Sequence, residues 1–133
     1  MFNQSGIKTV KGAAPVQILA NVDLQYAVGV VVAQGSTAAD SNGRKIIKAG
    51  TPLTGSLDAR TTAFTAAATS GTPSVSNAVG VLLHDVDVTN GNANGTLLIF
   101  GFVNVNRLDS AVQALITAEV KAALKGAVTF IKM

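Results

Sequence analysis

The sequence predicts an α+β fold that is mostly β. It is expected to be small mixed sheets or a compact β-barrel-like core, with one C-terminal helix and a flexible N-terminal arm. Three observations point there. Residues 78–109, AVGVLLHDVDVTNGNANGTLLIFGFVNVNRLD, read as two apolar strands around a loop of Asn and Gly. Turn-forming clusters at 35–43 and 49–52 separate short apolar runs. Helical spacing of apolar residues is clear only near the C-terminal end.

The elements follow in order. Residues 1–20 show little periodicity and contain Gly6, Gly12 and Pro15, so they read as an arm or edge strand. A single domain is expected over 21–133. Residues 25–34, QYAVGVVVAQ, are β-branched and apolar and predict a buried strand. Asn42-Gly43 is a hairpin signal. Residues 45–48 predict a short strand. Ala49-Gly50-Thr51-Pro52 predicts a turn, with Gly supplying positive φ and Pro fixing φ on exit.

Residues 61–77 are nearly all Ala, Thr, Ser, Gly and Pro, with Phe64 and Val75 the exceptions. So little apolar bulk predicts a long surface loop. Strands are expected at 79–83, 85–89 and 96–105. In the last, Val103 and Val105 alternate with Asn104 and Asn106, the pattern of a half-solvated sheet. Asp109 or Ser110 should cap a helix whose apolar stripe is Val112, Leu115, Ile116, Val120, Ala123 and Leu124. Lys121 and Lys125 suit its last turns and Gly126 its end. Residues 128–133 return as a strand.

Composition bounds the function. The chain has 133 residues, enough for one domain with a real core. It is 48% hydrophobic but only 13% charged, with a mean hydropathy of +0.42. That is about half the usual charged fraction. Two readings account for it: a surface of small neutral polar residues, or a surface covered in a permanent assembly, whose interfaces are depleted in charge. The net charge of +3 comes from scattered Lys and Arg, with no basic run and no interleaved aromatics, so nucleic-acid binding is not expected. The absence of Cys removes disulfides and thiolate chemistry. The longest apolar run, 26–33, is too short for a membrane span of ~20 residues. No apolar stretch of signal-peptide length opens the sequence, so synthesis and use in a cytoplasm, or assembly into a particle there, is expected.

Candidate chemistry is sparse. His84, Asp85 and Asp87 cluster, but on a strand the two Asp residues would share one face and His84 the other, so they read as a polar outer face. Residues 90–95, NGNANG, imitate the start of a calcium loop. Yet the position for its closing Glu is Gly101 and the other ligands are neutral amides, so they read as an exposed turn. No G-x-S-x-G, Gly-rich phosphate loop or dinucleotide fingerprint occurs. No catalytic residue, metal site or cofactor is expected, and the chain does not read as an enzyme. Arg60 and Arg107 stand in low-charge surroundings, each close to an Asp. They read as local ion pairs or, alternatively, as intersubunit contacts.

Several weak features occur in one order. They are an arm at 1–20; Lys48-Ala49-Gly50-Thr51-Pro52-Leu53 before a poorly structured segment; Ala78-Val79-Gly80-Val81-Leu82-Leu83; Leu97 to Gly101-Phe102-Val103; and a closing helix, Gly126-Ala127, and strand. In this order, over roughly residues 45–133, the chain resembles the lambda-type head decoration, or capsid cement, proteins of tailed bacteriophages.

The resemblance implies a virion protein on the outer surface of the capsid, made in the host cytoplasm. It implies a homotrimer at local threefold points that clamps neighbouring major capsid protein subunits, with no cofactor and neither membrane nor nucleic acid as partner. It further implies an arm that orders on the capsid by adding a strand. In this chain Ile7, Val10, Val16, Ile18 and Leu19 would fill pockets there. Other classes remain open: a different phage structural subunit (head-fibre base, tail tube or minor capsid protein), or a small ligand-binding domain.

Overall fold

A long strand organises the molecule because its sequence suits two buried faces at once. The computed structural model describes residues 17–72 and 74–133. Its strands are β1 (Tyr26–Val32), β2 (Ile46–Ile47), β3 (Pro52–Thr54), β4 (Thr65–Ala66), β5 (Thr69–Ser70), β6 (Val75–Ser76), β7 (Gly80–Leu82), β8 (Val86–Asp87), β9 (Ala93–Asn104) and β10 (Val128–Ile131). Two short helices, α1 (Ser110–Gln113) and α2 (Ala118–Ala123), lie between β9 and β10. The fold is mostly β, α+β, and the sheets do not close into a barrel.

The main sheet runs β1-β9-β7-β3-β4, with β10 added in parallel to β9. β2 and β8, and β5 and β6, form two small ribbons. Leu97 and Leu98 of β9 are both fully buried but belong to different apolar groups, as do Val81 and Leu82 of β7. Adjacent strand residues face opposite ways, so the sheet centre is covered on both sides. That is why residues 78–83 read as a continuous apolar run rather than an alternating one. One face packs on Val112, Val120 and Leu124 from the helical segment. The other packs on Val86, Val88 and Phe64.

Gly101 bends β9. Leu98 and Val103 lie an odd number of residues apart yet share one apolar group, which a regular strand forbids. Gly101 has φ +155°, a conformation that lets the pleat slip by one residue. Beyond it, the two edges of β9 take different partners. Gly101 N–H donates to Ala127 O at 3.0 Å on the β10 side. Ala20 N–H donates to Phe102 O at 2.8 Å, and Asn104 N–H to Ile18 O at 2.7 Å, on the other.

Several expectations need correction. The single helix is two: Thr117 caps α2, its hydroxyl accepting from Val120 N–H at 3.3 Å, and Leu115 is 47% exposed between the helices. The 61–77 segment is mostly exposed but holds β4, β5 and β6, and it drives Phe64 fully into the core. The turn at 40–44 forms, with Gly43 N–H donating to Asp40 O at 3.0 Å, but β1 and β2 do not pair across it. The turn expected at Ala49–Pro52 forms one residue earlier, with Gly50 at φ +92° and Thr51 N–H donating to Lys48 O at 3.3 Å, and Pro52 opens β3. β1 is buried only in its second half, and Asn104 is buried rather than solvated. Among the described residues no helix is long and apolar enough to cross a membrane.

Candidate interaction surface

The residues expected to form the arm divide. Ile7, Val10 and Val16 lie outside the described residues. Ile18 and Leu19 are corrected to core positions, 0% and 3% exposed. They pair with the end of β9 and pack with Leu98, Val103 and Val128. Their side chains are committed to this domain and are not free to fill pockets on a partner. The folded domain therefore includes residues 18–20.

Arg60 and Arg107 play similar roles at separate places. Arg60 Nη1 donates to Gly29 O of β1 at 3.0 Å. Arg107 Nη1 donates to Gln17 O at 3.1 Å. Each satisfies a backbone carbonyl at the margin of the sheet, in place of the expected pairing with a neighbouring Asp. Gly29 lies opposite Thr96, while Ile18 lies beside Asn104. The two arginines thus mark positions eight residues apart on β9, at most roughly 26 Å. They do not form one patch.

An apolar corner lies around the Gly101 bend. Tyr26, opposite Phe100 across the β1–β9 pair, is 61% exposed, and Phe100 is 42% exposed. The Phe100 and Phe102 rings meet edge to face with centroids 6.4 Å apart. Leu24, 47% exposed, passes beside Gly101. Sequence reading placed Tyr26 in a buried strand and Phe100 in a half-solvated one, and singled out neither. The available signal was Phe-Gly-Phe at 100–102, where a glycine interrupts an otherwise bulky strand.

The polar clusters are occupied internally. Asp85 Oδ1 accepts from Ala49 N–H at 2.7 Å, and Asp87 accepts from both the backbone N–H and the hydroxyl of Thr89. The Thr89 hydroxyl and then its N–H hold the Asp87 carboxyl below its ordinary pKa. His84 sits in a bend and not on a strand, so the face argument for that trio does not apply as expected. Among the described residues no three His, Asp or Glu side chains converge as a metal site would require.

A groove of about 470 Å³ runs between residues 33–37, β2, β4 and α1, lined by Ile46, Ile47, Leu53, Val112 and Leu115. Three of its polar side chains, Gln34, Thr37 and Thr51, are turned to the protein's own backbone. Thr37 Oγ1 donates to Gln34 O, Thr51 Oγ1 to Lys48 O, and Gln34 Nε2 to Val88 O and Thr89 O. Lys48 is the one ionisable residue along it among the described residues. A ligand site needs polar groups aimed into the cavity, and those three are aimed away. The surface feature with most binding potential is therefore the apolar corner on β1 and β9. Compared with known family models, curated proteins and solved structures, the chain matches none.

Proposed function

We propose that the chain is a structural protein of a tailed-phage virion, which decorates the outer capsid surface and stabilises it by binding across major capsid protein subunits. The supporting observation is the exposed apolar corner of Leu24, Tyr26 and Phe100. Exposed aromatics of this kind are enriched where proteins meet. The low charged fraction suits a protein that works by covering seams. Many copies on a closed lattice then make modest contacts collectively strong. In this reading the working unit is a homotrimer, and residues 1–16 engage the shell by strand addition. The work is done by buried area, with no chemical step.

The test is co-sedimentation of the purified full chain with empty heads of the virus that encodes it. Binding that saturates at a fixed copy number per head supports the proposal, and residues 1–16 should be needed for full affinity. Absence of binding to both unexpanded and expanded heads overturns it. Self-assembly into rings or tubes without heads would instead indicate a tail-tube subunit.

A further inference from the structure

The junction between residues 1–16 and the domain is held by an unusual concentration of polar contacts. Asn104 is only 7% exposed, one of two buried polar residues among those described. Its backbone N–H donates to Ile18 O at 2.7 Å. Its side-chain Oδ1 accepts from Asn106 N–H at 3.1 Å and from Met133 N–H at 3.4 Å. Two donors on one atom identify that atom as the oxygen. Asn106 Nδ2 in turn donates to Met133 O at 2.7 Å. On the other side, Arg107 Nη1 reaches Gln17 O, and Gln17 Oε1 accepts from Leu19 N–H at 3.1 Å.

These contacts join three stretches distant in sequence: 17–20, 104–107 and 133. Residue 104 terminates β9 and opens the 3-10 turn Val105–Arg107, which its side chain caps. A buried amide is costly unless it is used. Here it ties the segment after β10 to the strand end that also holds Ile18.

We infer that Asn104 is a positioning residue: it clasps the 17–20 segment and the segment after β10 to the end of β9, and so fixes the point at residue 17 to which residues 1–16 are attached. The consequence for binding rests on the capsid reading above; the clasp itself does not. In that reading, residues 1–16 engage the shell from a fixed attachment point at residue 17. A fixed attachment point lowers the entropy lost on binding, which raises affinity.

The experiment is residue-resolved amide hydrogen exchange on the full chain, for wild type, Asn104→Leu, Asn106→Ala and Arg107→Ala. Asn106 and Arg107 are exposed, so their variants should fold even if Asn104→Leu does not. The informative amides are Ala20, Asn106 and Met133, with Leu97 and Leu98 of β9 as the core reference. The expected result for Asn104→Leu is exchange faster by about tenfold or more at Ala20 and Met133, with the reference unchanged. Asn106→Ala should accelerate Ala20 several-fold, although it touches only the Met133 side. Asn104→Asp, which keeps the acceptor oxygen, should restore protection at Asn106 and Met133.

Unchanged Ala20 exchange in both Asn106→Ala and Arg107→Ala would overturn the inference, leaving burial of Ile18 and Leu19 as the sole anchor. Head binding is measured alongside. Loss of binding in the clasp variants with an intact core supports the positioning role, and equal binding with a loosened clasp refutes it. If wild type does not bind heads, the capsid reading fails while the exchange result still decides the clasp.

Discussion

Replacing Ile18 with Ala tests whether residues 18–20 are part of the domain. The side chain is fully buried and packs in the group containing Leu98, Val103 and Val128. The substitution removes three carbons, at ~0.8 kcal/mol each, and leaves a cavity that the surrounding strands fill only in part. The expected cost is about 3 kcal/mol, within the ~2–5 kcal/mol range for such truncations. Against a total stability of roughly 5–15 kcal/mol this is large. It should lower Tm by roughly 10 °C. Urea unfolding followed by far-UV circular dichroism measures it, and an unchanged m value would show that the denatured state is not the cause. Leu57→Ala, at a 44% exposed site, is the control and should stay within about 0.5 kcal/mol. A change below about 0.5 kcal/mol for Ile18→Ala would refute the reasoning and return residues 18–20 to the arm. Deleting residues 1–16 should spare stability, whereas deleting 1–20 should cost at least as much as Ile18→Ala.

Further outcomes follow from the helical segment and the acidic loop. Leu124→Ala, at a 5% exposed position, should cost about 2–5 kcal/mol, while Leu115→Ala at 47% exposure should cost less than about 1 kcal/mol in the same unfolding assay. Equal costs would mean that the two helices pack as one. Thr117→Ala removes the cap of α2 and should cost about 0.5–2 kcal/mol; no measurable change would show that the cap contributes nothing. The Asp87 carboxyl should titrate below its ordinary pKa by NMR, and Thr89→Val should move it upward, since the Thr89 hydroxyl is the first cause of the shift. Because the folded pKa is depressed, the associated stability is present above the unfolded pKa and declines as pH falls through the folded one. A titration in Thr89→Val identical to wild type would exclude the hydroxyl as the cause.

The main strands were legible because their apolar runs are bounded by clear turn signals. β1, β2, β7 and β10 fall where the pattern puts them. The helical stripe from Val112 to Leu124 misled, since apolar spacing carries on through a break. The contrary signal was Thr117, a preferred N-cap residue with Glu119 in the following turn. Ile18 and Leu19 were read as arm because three apolar-containing residues beside Pro15 show no period; their partner is β9, over 80 residues away, and local pattern does not report such pairing. The apolar corner was hidden for a related reason. Whether an aromatic on a strand is covered depends on which neighbours the topology supplies, and the bend at Gly101 changes those neighbours. Asn104 looked like one solvated member of a Val/Asn alternation, whereas the strand ends there and turns its amide inward.

The central claim, the proposed capsid role, is tested most directly by looking for the chain in virus particles produced from the genome that carries its gene. Cryo-electron microscopy of intact virions, with quantitative mass spectrometry of the same preparation, reads both position and copy number. The account expects density for this domain on the outer shell at local threefold points, in copy number matched to the capsid lattice, with the Leu24, Tyr26 and Phe100 corner against the capsid subunits. The chain found only in tails, or absent from particles that contain the full capsid, would contradict it.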